Sequence, residues 1–415
     1  MIDKDKLKQQ IINAILNSND LDNSINNINK VLNLYKRKNK RKNILLTQLN
    51  AMGDLILAIP AIREIRKNYP DAHITLIYFE TFKDIVKYLP YVDELIPSNI
   101  SHINLFNFLL HSINFCYEHL WNRTYDLAIN LHFSCNVFIG SIIQWLSITK
   151  ENIGYSFEAE RQYYHKDFSL QSFLDLIQID KFILTKPIVN PFNMYHELNR
   201  KMYILEACGL QVTSKKLELF LDQESIIYAK NILKDAKRKI IIGLASSNNT
   251  KRYSVQKLLI ALKEIVKDNN TLILLGAGKQ EIKDAKYLKK HIQCINLVNK
   301  TSVLESMAVI QQSDLYIGND TGLMHIAEVF NKSIIYYLPQ AKDKNNIHTG
   351  SLSARARFHP THNKYILLQP ETSLDDCLKY NTYNGCISTE AHCINQIDPY
   401  DIIKAYYKIK EKFLS

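Results

Sequence analysis

The feature that most constrains the fold is a repeated alternation between short aliphatic runs and segments with helical periodicity. The runs at residues 43–49, 73–78 and 126–132 have the length and apolar content of buried strands. Between the first two runs, Leu55 and Ile59 recur at the spacing of one helix face. Strands that alternate with helices predict βαβ units and a parallel sheet.

The second half of the chain repeats this alternation and predicts a second sheet. The capping box Ser302-x-x-Glu305 begins one of the intervening helices, and Asp398-Pro399 begins the last. A chain of 415 residues is long enough for two cores. We therefore expect an α/β fold with two Rossmann-like, doubly wound domains that face each other across a cleft. The predicted strands of the second half are 239–244, 271–275, 294–297, 315–318 and 333–338.

The chain divides into four predicted parts. A basic helical extension comes first, followed by an acceptor domain and then by a nucleotide-binding domain, and we expect a final helix to pack toward the N-terminal domain. Inside the first domain, residues 155–195 are irregular and predict a lid or an acceptor-side loop. The boundaries of the parts are 1–42, 43–209, 210–395 and 396–415.

Composition excludes several classes of protein. The aliphatic runs are too short to span a membrane, and the N-terminus does not resemble a signal peptide, so we expect a cytoplasmic protein. Seven cysteines without a CxxC pair argue against a disulfide scaffold. No nucleic-acid-binding module is recognisable, so we expect no nucleic-acid partner.

More than half of the net charge of +11 is concentrated in residues 1–42, which hold ten Lys or Arg against four Asp. Apolar residues at helical spacing predict two amphipathic helices followed by the basic run 36–42. Two interpretations stay open at this point. One is that the helices dock on the anionic surface of the inner membrane. The other is that they form a polar hairpin that packs on the body of the protein or assists oligomerisation.

The first candidate site is Gly53-Asp54, where the first strand ends and a helix begins. Ligands bind at the carboxyl ends of strands in open parallel sheets. We expect Gly53 to provide the turn and a close approach to a ligand. Asp54 is a candidate for chemistry, whereas the local alternative is that it caps the helix and complements its dipole.

The second candidate is the turn Asp320-Thr321-Gly322, which joins a strand to a helix. The N–H groups at a helix start form an anion site suited to a diphosphate. Thr321 adds a hydroxyl, Gly322 permits close approach, and His325 lies one turn further on. The alternative is a capped helix start with an incidental histidine.

A third candidate follows the first strand of the second half, where Ser247 precedes the adjacent cations Lys251 and Arg252. Lys251 is suited to neutralising a departing phosphate. Gly276 lies in a Gly-Ala-Gly turn after the next strand and is a weaker candidate for donor binding. The alternative for both segments is an ordinary solvated loop.

Two further clusters are ambiguous. The basic segment 342–364 is suited to phosphate binding or is a solvated loop. Near the C-terminus, three cysteines and a histidine offer zinc ligands, but gaps of eight and six residues between the cysteines favour no metal site. These residues are Cys377, Cys386, His392 and Cys393.

Three motifs in this order resemble the lipopolysaccharide heptosyltransferases of glycosyltransferase family nine. The turn with Gly53-Asp54 is similar to the start of that family. Residues 320–327, Asp-Thr-Gly-Leu-Met-His-Ile-Ala, match its Asp-Thr/Ser-Gly-x-x-His-x-Ala motif, and residues 251–253 are similar to its Lys-x-Trp segment, with Tyr253 in place of Trp. The resemblance covers residues 43–412.

The resemblance implies a GT-B fold and an inverting glycosyltransferase that needs no metal and no other cofactor. Asp54 would then be the general base and Lys251 would neutralise the leaving diphosphate. The implied donor-binding residues are Gly53, Ser247, Arg252, Gly276, Asp320, Thr321, Gly322 and His325.

The partners implied by the resemblance are a nucleotide-sugar donor, most often ADP-heptose, and a glycan or lipopolysaccharide acceptor. Another nucleotide sugar or a protein acceptor is the alternative within this class. A non-catalytic nucleotide-binding or assembly protein is the alternative from another class.

Overall fold

The structure divides into two compact units, Met1–Lys216 and Leu217–Ser415. The sequence placed this boundary after Gly209, but residues up to 216 belong to the first unit. Thr213 explains part of this difference, because its backbone N–H and its hydroxyl both donate hydrogen bonds to the buried carboxylate of Glu64. The structure is a computed structural model that describes residues 2–18, 20–100, 105–133, 137–156, 181–191, 194–246, 248–342, 354–372 and 391–414.

In the described residues, each unit contains one six-stranded sheet in which all neighbouring strands are parallel. The first sheet has the order β3-β2-β1-β4-β5-β6, and the second has the equivalent order β9-β8-β7-β10-β11-β12. The strands are β1 Asn43–Gln48, β2 His73–Phe79, β3 Glu94–Ser98, β4 Tyr125–Asn130, β5 Thr149–Tyr155, β6 Lys186–Ile188, β7 Arg238–Gly243, β8 Asn270–Leu275, β9 Ile295–Asn296, β10 Leu315–Asn319, β11 Ser333–Tyr337 and β12 Tyr365–Leu368.

The eight strands predicted from the sequence are all present, with ends within two residues of the prediction. Four strands were missed, and three of them, β3, β6 and β12, lie at sheet edges. Edge strands are shorter and less apolar than central strands, and β3 contains Pro97, which is compatible with an edge. Strand β6 falls inside the expected excursion at 155–195, so the chain returns to the sheet there.

Helices connect the strands of both sheets. Within the described ranges, no helix is long and apolar enough to cross a membrane. The helices are α1 Lys4–Leu16, α2 Leu21–Tyr35, α3 Met52–Asn68, α4 Lys83–Val86, α5 Leu105–Phe115, α6 Val137–Leu146, α7 Glu197–Ala207, α8 Gln223–Ile232, α9 Val255–Ile265, α10 Lys279–His291, α11 Val303–Gln311, α12 Gly322–Val329, α13 Ala354–Phe358 and α14 Pro399–Ile409.

Helices α1 and α2 form the predicted amphipathic pair, and they pack on the body of the first unit. Their apolar faces are buried in the same core cluster as the side chains of α5 and α6. Asn29 accepts a hydrogen bond of 2.6 Å from the indole of Trp145. The interpretation in which the helices pack on the body is therefore confirmed. The buried apolar residues of the pair are Leu7, Ile11, Ile25, Ile28 and Leu32.

The C-terminal helix α14 begins as predicted, with Asp398 as its N-cap and Pro399 in its first turn. Its apolar face, which includes Ile402 and Tyr406, lies in the core of the second unit. The Tyr406 hydroxyl also accepts a hydrogen bond of 2.7 Å from Asn270, at the start of β8. The apolar face of this helix is thus buried in the second unit, and its packing toward the N-terminal domain stays a prediction.

Two parallel sheets with connecting helices confirm the predicted α/β fold with two Rossmann-like units. In each unit the strand order reverses between the first and the fourth strand, which are β1 and β4 in the first sheet and β7 and β10 in the second. Such a reversal leaves a crevice outside the carboxyl ends of the two strands, where ligands bind in open α/β sheets.

Candidate active site

The turn after β10 is built on a tyrosine that lies against two glycines. A Cβ atom on Gly243 would lie 2.3 Å from the Tyr316 hydroxyl, and one on Gly318 would lie 2.6 Å from it. The hydroxyl donates a hydrogen bond of 3.0 Å to the carbonyl of Asn319, whose side chain donates to the carbonyl of Ala245. These contacts join the carboxyl ends of β7 and β10 and therefore fix the backbone that lines the crevice.

Helix α12 begins in this crevice with Thr321 as its N-cap. Thr321 has an extended backbone and makes no side-chain cap bond, although its hydroxyl lies 3.5 Å from that of Tyr316. The first N–H groups of a helix have no intrahelical partner, and the N-terminus has a partial positive charge. The predicted helix start at Thr321-Gly322 is therefore present, with the geometry of an anion site.

Lys251, Asp320 and His325 come together at this helix start. Burial raises the pKa of Asp320 above its usual value, and the positive charges of His325, Lys251 and Arg357 oppose the increase. Lys251 lies at the end of a short 3-10 turn, Asn249–Lys251, which follows β7. Lys251, from the segment after β7, thus acts on the same carboxylate as His325 of the 320–327 motif, and Arg357 adds a third positive charge.

His325 is buried, with 3% of its side chain exposed, and is held by Glu328 on the same helix. The Nδ1 atom of His325 lies 3.1 Å from a carboxylate oxygen of Glu328. The other oxygen of Glu328 accepts hydrogen bonds from the backbone N–H and the hydroxyl of Thr361, at 2.6 and 2.8 Å. One carboxylate therefore contacts both the ring of His325 and a distant segment, and donor binding by His325 stays a prediction.

Arg252 makes its contacts with acidic side chains of α10. Its Nη2 atom lies 2.7 Å from the Glu281 carboxylate, and its Nη1 atom lies 3.5 Å from that of Asp284. Arg252 therefore braces the loop after β7 against α10, and donor binding by Arg252 stays a prediction.

Gly276 has a φ of +152°, and a Cβ atom there would lie 3.2 Å from the backbone nitrogen of Ala245. A residue without a side chain is thus required where the loops after β7 and β8 approach each other. Ser247, which the sequence placed in the same loop as Lys251, lies outside the described residues.

Asp54 in the first unit is the third residue of α3 and is only 4% exposed. The N-cap of this helix is Ala51, which has an extended backbone. The local alternative in which Asp54 is the cap is therefore wrong, although its position in the first turn suits the helix dipole. Gly53 also lies inside the helix, so the chain turns before Gly53 and not at it.

A buried polar network surrounds the reversal point of the first sheet. The side-chain nitrogen of Asn50 lies 2.9 Å from Nε2 of His132, which follows β4. The hydroxyl of Thr47 donates to Asn130 at 3.0 Å and accepts from Gln144 at the same distance. The segment that leads into Asp54 is thus fixed by hydrogen bonds between the ends of β1 and β4.

Gln48, the last residue of β1, is 1% exposed. Neither polar atom of its amide has a hydrogen-bond partner within the part of the chain that the structure describes. Leaving such a group buried and unpaired costs about 1–3 kcal/mol. Its position at the carboxyl end of β1 makes it a candidate for contact with a bound hydroxyl.

Sequence reasoning missed several of these residues. Gln48 and His132 could have been noticed, because each is a polar residue at the end of an aliphatic run. Arg357 belongs to the ambiguous basic segment 342–364. The role of Glu328 depends on a contact with Thr361, and no local pattern predicts that contact.

Of the four residues considered as zinc ligands, Cys377 and Cys386 lie outside the described residues. His392 and Cys393 contact each other, with 3.1 Å between Nδ1 and Sγ. Over the ranges that the structure describes, no group of three or more His, Cys, Asp or Glu side chains could hold a metal ion.

The sequence profile of glycosyltransferase family 9 (heptosyltransferase) matches residues 117–337. This match includes β4 and β5 of the first unit and most of the second unit, with Lys251 and the turn at Asp320. Lipopolysaccharide heptosyltransferase 1 of Campylobacter coli is 24% identical over 387 residues, which cover 89% of this chain and 98% of that protein.

Solved structures of this family share the fold. The glycosyl transferase family 9 protein from Veillonella parvula DSM 2008 superposes with a TM-score of 0.67 at 18% identity, covering 90% of this chain and 98% of that one. The E. coli ADP-heptose lps heptosyltransferase II gives 0.63 at 13% identity, covering 90% and 100%. Since the family profile covers more than half of the sequence, this chain belongs to glycosyltransferase family 9, the heptosyltransferase family, and is a glycosyltransferase.

Proposed function

We propose that this enzyme transfers a heptose from ADP-heptose, with inversion of the anomeric carbon, to a hydroxyl of a lipopolysaccharide core or a related glycan. The observation that carries this proposal is that the positive charges of Lys251 and His325 both act on Asp320, which directly precedes the N-cap of α12 in the second unit. The names of the relatives support the donor and the acceptor, since they are lipopolysaccharide heptosyltransferases and one is named for ADP-heptose.

The second unit would hold the donor through its diphosphate. The N–H groups at Thr321-Gly322 would bind phosphate oxygens, and the ammonium group of Lys251 would neutralise the charge that develops as the diphosphate leaves. Asp320 would orient the turn or accept a hydrogen bond from the donor sugar. These groups supply positive charge at the diphosphate from the protein itself, so the proposal includes no divalent metal.

The first unit would hold the acceptor, and Asp54 would remove the proton from the attacking hydroxyl. Its support is the buried position of Asp54 in the first turn of α3, four residues after Asn50, whose side chain contacts His132. The resemblance implies a single in-line displacement. The C–O bond to the diphosphate breaks as the bond to the acceptor oxygen forms, and the departing ADP takes the electron pair.

Calorimetry with EDTA present tests these roles, using ADP, UDP and an ADP-heptose donor. We expect Lys251→Ala to weaken ADP binding about tenfold or more, because it removes a charged contact to phosphate. Asp54→Asn is expected to leave ADP affinity unchanged while lowering the rate of transfer at least a hundredfold, since it removes the base.

Each outcome of this experiment has one meaning. Preference for UDP over ADP would discard ADP-heptose as the donor but keep the transferase. Binding that requires a metal would overturn the metal-independent mechanism. Full transfer activity of Asp54→Asn would remove Asp54 from the role of base. An absence of binding to any nucleotide would contradict the proposed function as a whole.

We also propose that the N-terminal helices contact an anionic membrane surface, where a lipid-linked acceptor would be found. Leu34 at the end of α2 is 76% exposed, and the exposed cations Arg37, Lys38 and Lys40 follow it. An exposed apolar side chain beside a cluster of cations suits an interface with anionic lipid. The proposed contact is peripheral, made by side chains at the surface of the protein.

Deleting residues 1–42 is not a clean test of membrane contact, because α1 and α2 bury apolar side chains in the core of the first unit. Point substitutions avoid this problem. We expect R37Q/K38Q/K40Q, with or without Leu34→Ser, to reduce sedimentation with phosphatidylglycerol vesicles while leaving ADP binding unchanged. A charge-matched control replaces the exposed Lys283, Lys286 and Lys290 of α10. An equal loss in the control would refute a specific membrane face.

A further inference from the structure

A single buried carboxylate joins the start of α12 to a segment more than thirty residues away. Glu328 is 4% exposed and contacts His325 with one oxygen and Thr361 with the other. Burial by itself raises the pKa of Glu328, but the hydrogen bonds from His325 and Thr361 outweigh this effect and lower the pKa below its usual value. Glu328 is therefore a buried anion held by donors on two segments.

The segment held by Glu328 carries an arginine, Arg357, whose positive charge acts on Asp320 in the turn before α12. Phe358, three residues before Thr361, packs edge-on against the ring of His325, with 6.2 Å between the ring centroids. The guanidinium of Arg357 lies 4.8 Å from the centroid of the Phe358 ring. A chain of contacts therefore leads from His325 in the first turn of α12 through Phe358 to Arg357.

We propose that Arg357 binds the diphosphate of the donor and that Glu328 is the residue that positions it. This inference rests on the proposed function, because it adds a second cation to the same donor site. Glu328 acts through Thr361, whose two hydrogen bonds fix the end of the segment that carries Arg357 and Phe358. The contact between His325 and Phe358 fixes the other side of this segment.

The chemistry of a diphosphate favours two cations of different kinds. Lys251 provides a point charge, whereas the planar guanidinium of Arg357 can bind two phosphate oxygens at once. A diphosphate has more than one negative charge, and Asp320 adds another in the same turn. The single positive charge of Lys251 is smaller than the negative charge of the diphosphate and Asp320. Arg357 adds a second positive charge, and the start of α12 adds a partial one.

Comparison of ADP with adenosine tests the role of Arg357, because the two ligands differ only in the diphosphate. We expect Arg357→Gln to reduce the affinity for ADP about tenfold or more while leaving the affinity for adenosine unchanged. The matched control is Arg355→Gln, which removes the same charge from an exposed position on the same short helix. We expect less than a threefold effect in the control.

The role of Glu328 is tested by a double-mutant cycle with ADP as the probe. Glu328→Ala should reduce the affinity for ADP by at least as much as Arg357→Gln does. Adding R357Q to E328A should then reduce the affinity further by less than twofold. A merely structural role would leave the two effects additive. If E328A does not fold, Thr361→Val removes one hydrogen bond of the segment and should cause a smaller loss of ADP affinity with the same non-additivity.

The outcomes separate this inference from the proposed function. Wild-type protein that binds ADP, with R357Q unchanged or with equal losses in R357Q and R355Q, overturns the assignment of Arg357 and leaves the donor site intact. A full tenfold effect of R357Q in the E328A background overturns the positioning role of Glu328. Wild-type protein that binds no ADP overturns the proposed donor, and this assignment with it.

Discussion

Glu64 anchors the helix that carries Asp54, and we expect Glu64→Gln to destabilise the first unit in a pH-dependent way. Its side chain is fully buried and lies 2.8 Å from Nζ of Lys67 and 3.2 Å from Nε of Arg63. It also accepts two hydrogen bonds of 2.8 Å from Thr213. Glutamine keeps the size of the side chain but removes the charge that these donors stabilise.

The expected magnitude follows from the pKa of the carboxyl group. Burial by itself raises the pKa of Glu64, but the hydrogen bonds from Lys67, Thr213 and Arg63 lower it from its usual 4.5 to about 2. At about 1.4 kcal/mol per pKa unit, the ionised form contributes about 3 kcal/mol at neutral pH. Solvent screening of Lys67, whose side chain is 48% exposed, reduces this to about 2 kcal/mol.

The sign of the pH dependence follows from linkage. Because the folded state has the lower pKa, this stabilisation is fully present above pH 4.5 and is lost as the pH falls toward about 2. The difference in free energy of unfolding between wild type and Glu64→Gln should therefore be about 2 kcal/mol at pH 7. It should fall by roughly half at pH 3.

Urea unfolding followed by tryptophan fluorescence measures this difference. The two tryptophans of the chain, Trp121 and Trp145, both lie in the first unit, so their emission reports on that unit. The control is Glu118→Gln, since the Glu118 side chain is 65% exposed and its replacement should change stability by less than about 0.5 kcal/mol. An equal destabilisation by Glu64→Gln at pH 7 and at pH 3 would show that the charge of Glu64 is not the cause.

Other substitutions test the packing that supports the site. Gly243→Ala should destabilise the protein by about 1–3 kcal/mol and weaken ADP binding, because its Cβ would lie 2.3 Å from the Tyr316 hydroxyl. Gly209 has a φ of +81°, which is unfavourable for alanine, although a Cβ atom there would meet no atom within 4 Å. Gly209→Ala should therefore lower the free energy of unfolding in urea by about 1 kcal/mol and leave ADP binding unchanged. Ile28→Ala should lower the stability reported by tryptophan fluorescence by about 2–5 kcal/mol, and no loss would contradict the burial of α2. Ser302→Ala should cost about 1 kcal/mol by circular dichroism without changing ADP affinity, because it removes a helix cap.

Much of the fold could be predicted because short sequence patterns determine the central strands and the helix starts. The central strands are continuous aliphatic runs, and such runs have few alternatives to a buried parallel strand. The caps at Ser302 and Asp398 were also predicted, because a cap depends on side chains within three residues of the helix start. Edge strands such as β6 were missed, since their pairing depends on a neighbouring strand and not on their own composition.

The candidate site was predicted in part. Lys251 and Asp320 could be named from motifs, and parallel topology places the ends of β7 and β10 side by side. The partners of these residues could not be named in the same way. Arg252, whose role in donor binding stays a prediction, pairs with Glu281, and only the packing of α10 beside the loop after β7 brings those two charges together.

Local sequence patterns were enough to predict the fold class, eight of the twelve described strands and the three motifs that mark the family. These depend on periodicity and on turn chemistry, which act over a few neighbouring residues. The three-dimensional packing was needed to show where α1, α2 and α14 are buried, and that Glu328 contacts both Thr361 and His325. Such contacts join residues that are far apart in the chain, and they form because burial of apolar faces and pairing of buried charges are satisfied only when the whole unit has folded.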